Sequence, residues 1–148
     1  IQLFSSDGTY LRSYEGTIHN NYHLNHPSSV EIDPTGNLII ADWGNESIKI
    51  VSADDMLIQE LRGEATLSVW AQEFMDSNLE EYDARKTANL ESPAIEGNSL
   101  NRHTLSAHVE KYFWGPTSVK LDSNSCLYVT DSNRHRIQIY KWMSKESF

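Results

Sequence analysis

The 148-residue sequence predicts an all-β fold of small four-stranded antiparallel sheets, with a helical insertion between two of them. The first observation behind this prediction is an internal repeat. The stretch from Pro27 to Val51 aligns without a gap with the stretch from Pro116 to Tyr140, 89 residues later. A match that keeps its register over this length is typical of a repeat protein. Eight positions are identical, at 27/116, 29/118, 30/119, 33/122, 38/127, 42/131, 48/137 and 50/139.

The second observation is the pattern of short strands within one repeat. Apolar residues alternate in period two at 28–33 and 47–51, and 38–42 is a short apolar run. The runs are bounded by turn residues such as those of "DPTGN", where Pro34 presets one backbone angle and Gly36 tolerates positive φ. The predicted strands lie at 28–33, 38–42 and 47–51, with a weaker fourth run at 56–61.

A partial third copy opens the chain. Residues 1–14 overlay residues 48–61 at an offset of 47, so the sequence offers two strands, then four, then three. Four short antiparallel strands in about 40–50 residues are typical of a propeller blade, which is apolar on both faces and must stack on its neighbours. The predicted units are 1–23 (second half of a blade plus a link), 24–62 (a complete blade), 63–113 (a mainly helical insertion) and 114–148 (a blade without its last strand).

The motifs resemble those of the NHL-repeat family of propellers. The third unit carries "GPTSVKLD", "LYVTD" and "RHRIQIY", and the second carries "HPSSVEID", "GNLIIADWGN" and "IKIV". The likeness covers residues 1–61 and 114–142. It implies a propeller that binds a protein or a small ligand. Some members bind RNA through a basic face, and others are lyases with histidines and a metal at the centre of the ring.

One aspartate ends the second strand of each full repeat, and both aspartates are predicted to be structural. Asp131 and Arg136 lie across one hairpin, so the carboxylate is expected to accept turn amides and to pair with the guanidinium. Asp42 is expected to do the same without an arginine, because Ser47 stands at that position and only the family's loop asparagine, Asn45, is kept.

The repeat is interrupted by 42 extra residues between Arg62 and Trp114. Leu67, Trp70, Ala71 and Phe74 form an amphipathic stripe, and "NLEEYD" resembles a capping box, so we expect helices at about 65–76 and 79–90. Residues 91–108 show no period and are predicted to be a loop. The insertion is interpreted either as a cap over one propeller face or as a lid or docking element over a ligand.

The strand inventory is too small for a closed ring of four to eight blades. The sequence is therefore expected to be a fragment of a longer protein, and the alternative is a head-to-tail homo-oligomer that shares blades. Under the fragment interpretation, a missing signal peptide has no meaning. We expect a protein in solution, of unknown compartment, since no apolar run could span a bilayer.

Composition argues against nucleic-acid binding. Twelve basic residues face 21 acidic ones, a net charge of −9, and the one dense basic run is "RHR" at 134–136. Cys126 is the single cysteine, which excludes an intrachain disulfide, and it is interpreted as a turn or strand residue and not as a nucleophile.

One segment has the residue types of a metal site. His19, His23 and His26 would share a face if "HNNYHLNH" were helical, and three histidines with an open position are typical of catalytic zinc. The asparagines and Pro27 argue against a helix, so a solvated loop is preferred, with zinc or calcium as the alternative. His103 and His108 are weaker candidates.

Two functions follow from these patterns. The preferred one is a non-enzymatic binding or scaffolding propeller for a protein or small ligand, with the insertion shaping the partner site. The alternative is a metal-assisted lyase or hydrolase with its site on the propeller axis.

Overall fold

The computed structural model describes residues 1–17, 19–91 and 101–142. These residues form nine strands and three α-helices. The strands are β1 (Gln2–Phe4), β2 (Tyr10–Ser13), β3 (Pro27–Ile32), β4 (Leu38–Asp42), β5 (Ser47–Val51), β6 (Leu57–Leu61), β7 (Pro116–Leu121), β8 (Cys126–Asp131) and β9 (Arg136–Lys141). The helices are α1 (Val69–Ser77), α2 (Leu79–Thr87) and α3 (Arg102–His108).

These strands form antiparallel sheets in chain order. The first sheet is β1-β2, the middle sheet is β3-β4-β5-β6 and the third sheet is β7-β8-β9. The strands predicted at 38–42 and 47–51 coincide with β4 and β5, which confirms the all-β antiparallel prediction. A short 3₁₀ turn closes each of the hairpins β4–β5 and β8–β9, at Trp43–Asn45 and Ser132–Arg134.

The turn between β3 and β4 explains the Asp-x-x-Gly-Asn spacing of the repeat. The Asp33 carboxylate accepts the backbone amides of Thr35 and Asn37, both at 2.9 Å, and Gly36 has φ of 88°. At the place of Gly36, the third sheet has Ser125, which adopts φ of 58°. The turn therefore keeps its left-handed residue without glycine, at a modest conformational cost.

The middle sheet is covered on both faces by its neighbours. Successive residues of a strand point to opposite faces, so Ile39 and Ile40 of β4 enter two different cores. Each fully buried isoleucine stabilises the stack by about 2 kcal/mol. Toward the third sheet the core contains Ile39, Ala41, Ile48, Phe113, Val119, Leu127 and Val129. Toward the first sheet it contains Tyr14, Tyr22, Leu38, Ile40 and Val51.

The segment between β6 and β7 leaves the sheets and returns to them at the same place. The Phe113 amide donates to the Arg62 carbonyl at 2.7 Å, and the Ala65 amide donates to the Lys111 carbonyl at 3.2 Å. Gly63 allows this approach, because a Cβ there would lie 2.6 Å from the Phe113 nitrogen. The extra length is therefore accommodated without separating the middle and third sheets.

Two helices occupy most of the range for which a helical pair is predicted, with different details. The first starts at Val69 and not at 65, because the Ser68 side chain caps it by accepting the Ala71 amide. The predicted capping box at Asn78 is wrong. The Asn78 side chain caps nothing at the start of α2 and instead donates to the Phe74 carbonyl of the preceding helix at 2.7 Å.

The loop prediction for 91–108 is also wrong in part, because α3 occupies Arg102–His108. Its first turn is capped by Asn101, whose side chain accepts the Thr104 amide at 2.8 Å. Residues 92–100 lie outside the described part of the chain.

Candidate binding surface

The antiparallel strand order places every second connection of the chain at the same end of the sheets. The hairpins β4–β5 and β8–β9 lie there, together with the segments that enter β3 and β7. The Gly44 amide donates to the Asn25 carbonyl at 2.8 Å, and the equivalent Asn133 amide donates to the Trp114 carbonyl at 3.1 Å. We call this end the linker face.

The two repeat aspartates fasten the incoming segments to the linker face. Asp42 accepts the backbone amide of Asn25 at 2.7 Å, and Asp131 accepts the backbone amide of Trp114 at 2.7 Å. Both carboxylates are fully buried. The expectation that they accept amides of their own turn is therefore wrong, because the acceptor oxygen faces the segment that enters the sheet.

The second oxygen of each aspartate is bridged to a carbonyl of the same incoming segment. In the middle sheet, the Asn45 amide group donates to Asp42 at 2.6 Å and to the His23 carbonyl at 3.1 Å. In the third sheet, Arg136 donates to Asp131 at 2.8 Å and to the Tyr112 carbonyl at 2.8 Å. The bridges are equivalent although asparagine and arginine stand at different positions of the repeat.

A further donor completes each aspartate. The Lys49 ammonium group lies 2.6 Å from Asp42, and at the equivalent position the Gln138 amide group donates to Asp131 at 3.3 Å. Buried charges of this kind need paired hydrogen-bonding partners, and both aspartates have them. These contacts describe fasteners between chain segments.

Arg134 stands at the repeat position of Asn45 but binds elsewhere. One guanidinium nitrogen donates to the carbonyls of Ser106, Ala107 and Val109, at 2.8, 2.9 and 3.3 Å. These carbonyls are at the C-terminal end of α3, where a cation is favourable. Burial lowers the pKa of Arg134 from its ordinary value, which does not remove its charge at neutral pH.

Glu46 links the middle sheet, the third sheet and α3, and sequence reasoning missed it. Its buried carboxylate accepts the Gly115 amide at 2.5 Å and a hydrogen bond from His103 Nδ1 at 2.5 Å. The other ring nitrogen of His103 accepts from the Trp114 indole at 3.4 Å. No signal in the sequence marks a glutamate at φ of 53° as buried, because such hairpin positions are usually solvated.

An ion pair fixes the start of α3 to the edge strand β6. Arg102 lies 2.5 Å from Glu60, and Lys49 lies 3.3 Å from the same carboxylate. Burial raises the pKa of Glu60, but the hydrogen bond from Arg102 and the charge of Lys49 outweigh it and lower the pKa to about 2.

The predicted metal ligands His19, His23 and His26 are exposed on the connection between the first and middle sheets. The described residues of this connection form turns and bends, and His26 contacts Asn25 at 2.6 Å and the edge of the Trp43 ring. Across residues 1–17, 19–91 and 101–142, no group of three or more histidine, cysteine or acidic side chains could hold a metal ion. The structure thus does not bring the three histidines together, and a zinc or calcium site here stays a prediction.

Of the apolar stripe predicted on α1, Trp70 and Phe74 are exposed, whereas Leu67 and Ala71 are half-buried. Trp70 is 84% accessible, Val69 is 72% and Leu79 at the start of α2 is 71%, while Phe74 is half-exposed. We call these four residues the aromatic patch. The half-buried residues of α1 are Ala71 and Met75. The range predicted for the helix overlaps α1, and the two aromatic residues of the predicted stripe are the ones that face solvent.

The helices that carry the aromatic patch are acidic. Between positions 64 and 91 the chain has seven acidic and two basic residues, a net charge of −5 out of −9 for the whole sequence. One of the two bases, Arg85, is paired with Glu110 at 2.7 Å. The exposed acids on the two helices are Glu73, Asp76, Glu80, Glu81 and Asp83.

Comparison with known proteins identifies one family. Residues 113–140 match the model of the NHL repeat, and this range begins at the buried Phe113 and covers nearly all of the third sheet. No curated protein matches the chain. None of the helices in the described residues is long and apolar enough to cross a membrane.

Proposed function

The chain is an NHL-repeat protein, and from this premise we propose that it supplies blades of a β-propeller that acts as a non-enzymatic binding scaffold. In this proposal the blades correspond to residues 1–23, 24–62 and 114–148, and residues 63–113 are an insertion carried on the linker face. The partner is a protein or a small ligand that the scaffold holds in place.

The observation that carries the proposal is a comparison between equivalent faces of two repeats. Ile48 and Ile50 of the middle sheet are 0% and 1% exposed, and Ile48 belongs to the core toward the third sheet. Their equivalents in the third sheet, Ile137 and Ile139, are 61% and 60% exposed. The middle sheet therefore gives a template for what the third sheet lacks, which is the back of another blade.

The first sheet supports the same interpretation from the other side. Val51 and Leu57 of the middle sheet contact the core toward the first sheet, and their repeat equivalents are Phe4 and Tyr10. Phe4 and Tyr10 are half-exposed and lie edge to face, with ring centroids 5.8 Å apart. Exposed apolar faces of this kind are typical of interaction sites. A further blade fits either open face, whether it comes from the same polypeptide or from a second copy.

Light scattering of the 148-residue chain tests the proposal. We expect a mass above 16.9 kDa that rises with concentration, because the two open faces are the two sides of an interface already present within the chain. The double variant Ile137→Glu, Ile139→Glu is expected to return the mass to 16.9 kDa, since it places carboxylates on one of the two faces.

The control is Ile58→Glu, which changes a half-exposed isoleucine on the edge strand β6. Its mass should follow that of the unchanged chain. A chain that stays at 16.9 kDa over the whole micromolar range, or a control variant that dissociates as completely as the double variant, would contradict the proposed blade interface.

A further inference from the structure

We propose that the aromatic patch on α1 and α2 is the docking site for an amphipathic segment of a partner protein that carries lysine or arginine beside its apolar residues. This inference rests on the proposed scaffold function and assigns the chemistry of its partner. It is argued from the exposure, the helical placement and the charge of the patch.

The two aromatic side chains of the patch share one side of α1. Trp70 and Phe74 are four residues apart, so they lie one above the other on the same side of α1. Leu79 begins α2 one residue after Asn78, which joins the two helices. An exposed tryptophan with a neighbouring aromatic residue is the composition that dominates binding energy at protein interfaces.

The helices α1 and α2 make few contacts with the sheets. Arg85 is paired with Glu110, and the helices contact each other, but no residue of α1 or α2 among those described is buried. The aromatic patch is thus not part of the described core. It remains available to a partner.

The acidic charge of the two helices favours a basic partner. Glu73 follows Trp70 by three residues and lies beside it on the helix, and Asp76, Glu80 and Glu81 continue the acidic surface. Lys86 is the one base of the two helices outside the Arg85–Glu110 pair. A partner with lysine or arginine gains attraction here, whereas an acidic partner or an anionic membrane is repelled.

The binding experiment uses a fluorescein-labelled 14-residue peptide of leucine and lysine, with leucine on one helical face. Two control peptides are a leucine–glutamate version and a scramble of the basic peptide that removes the apolar face. Fluorescence anisotropy should show saturable binding of the basic amphipathic peptide to the full chain, weakening as salt rises from low to physiological concentration. The two control peptides should bind at least about tenfold more weakly.

Paired variants locate the site. Trp70→Ala with Phe74→Ala should weaken peptide binding by about tenfold or more. The matched control Ile32→Ala with Ile58→Ala removes two half-exposed isoleucines from the sheets and should leave binding unchanged. Glu73→Lys with Asp76→Lys should also weaken binding, whereas Glu15→Lys with Asp54→Lys, which changes the net charge equally at exposed sites outside the helices, should have a much smaller effect.

Three results would overturn the inference. The first is equal binding of the acidic and basic peptides. The second is binding to neutral phosphatidylcholine vesicles that needs Trp70 and Phe74 while the basic peptide does not bind. The third is a fall in melting temperature of more than about 10 °C in the Trp70→Ala, Phe74→Ala variant, because the chain itself would then cover the patch.

The same samples distinguish this failure from failure of the scaffold. The aromatic-patch variants keep Ile137 and Ile139, so their mass by light scattering should equal that of the unchanged chain. If the unchanged chain does not self-associate, the blade interface is contradicted. If the unchanged chain self-associates but does not bind the basic peptide, only the aromatic patch is contradicted.

Discussion

Asn45 and Arg136 show how two repeats keep one contact with different residues. Each joins the second oxygen of a buried aspartate to a carbonyl two residues before the amide that this aspartate accepts. The asparagine reaches from within the 3₁₀ turn, and the arginine reaches from the first residue of the following strand. Each repeat therefore needs one of the two residues, which frees Arg134 to bind α3.

Removal of the Asn45 side chain tests this account. Asn45→Ala should lower the free energy of unfolding by about 1–3 kcal/mol, because the buried Asp42 loses a donor and the His23 carbonyl loses its bridge. Urea unfolding at pH 7 measures the change. Asn124→Ala, at an exposed turn asparagine, should cost less than about 0.5 kcal/mol, and an equal loss in both variants would show that the bridge is not the cause.

At this scale the sequence predicted partners within a hairpin and missed partners from distant segments. Arg136 follows Asp131 by five residues, so their pairing could be inferred from the turn between them. The amide of Trp114 lies 17 residues away and Gly115 lies 69 residues from Glu46. Such contacts depend on how the linker face assembles, which a single repeat does not reveal.

Among the elements, α3 depends most on its surroundings. Seven residues are too few for a stable isolated helix. It is held at its start by Glu60, on one side by Glu46 and at its end by Arg134. The sequence of this segment has no apolar period because its contacts are ion pairs and hydrogen bonds. This is the physical reason why it was predicted to be a loop, whereas the strands, which follow period two, were predicted within a residue or two.

The Glu60–Arg102 pair makes the docking of α3 depend on pH. The folded state lowers the pKa of Glu60 from 4.5 to about 2, so its contribution is fully present above pH 4.5 and is lost as the pH falls toward 2. Since the carboxylate is partly solvated, we expect about 1–2 kcal/mol. Glu60→Gln should therefore be less stable than the unchanged chain at pH 7 and similar to it near pH 2.

Urea unfolding at a series of pH values between 7 and 2 measures this convergence. Glu15→Gln, an exposed residue outside the ion pairs of the described chain, serves as the control and should follow the unchanged chain throughout. A constant difference between Glu60→Gln and the unchanged chain at all pH values would assign the loss to packing and not to charge.

Across the three sheets, we expect the stability of each sheet to depend on its interface with the neighbouring sheet. The two cores meet only through the middle sheet, whose strand β4 places Ile39 toward the third sheet and Ile40 toward the first. Stacked repeats of this type gain stability from nearest-neighbour interfaces. The offset of 89 residues and the alternation of the strands were sufficient to predict such stacking. They could not show that Trp70 and Phe74 of α1 are exposed, because periodicity alone does not say which side of a helix is covered.

Substitution of these adjacent isoleucines tests the nearest-neighbour account. Ile40→Ala and Ile39→Ala should each cost about 2–5 kcal/mol, since both side chains are fully buried. Hydrogen exchange should differ between the variants. Ile40→Ala should speed the exchange of β1 and β2 amides first, and Ile39→Ala those of β7 to β9. Identical acceleration in all strands of both variants would mean that the sheets unfold as a single unit.

The contact between Arg62 and Phe113 has a consequence for how this protein can change. Two points of the backbone 51 residues apart in the chain are held by one 2.7 Å hydrogen bond. The distance between the end of β6 and the segment that enters β7 is therefore independent of the length of the chain between them. The α1–α2 hairpin can therefore be replaced by another hairpin of different length, provided that Gly63 and the stretch from α3 to Phe113 are kept. Descendants of this chain could acquire new recognition surfaces by exchanging that cassette, while the stack of sheets continues to fold as before.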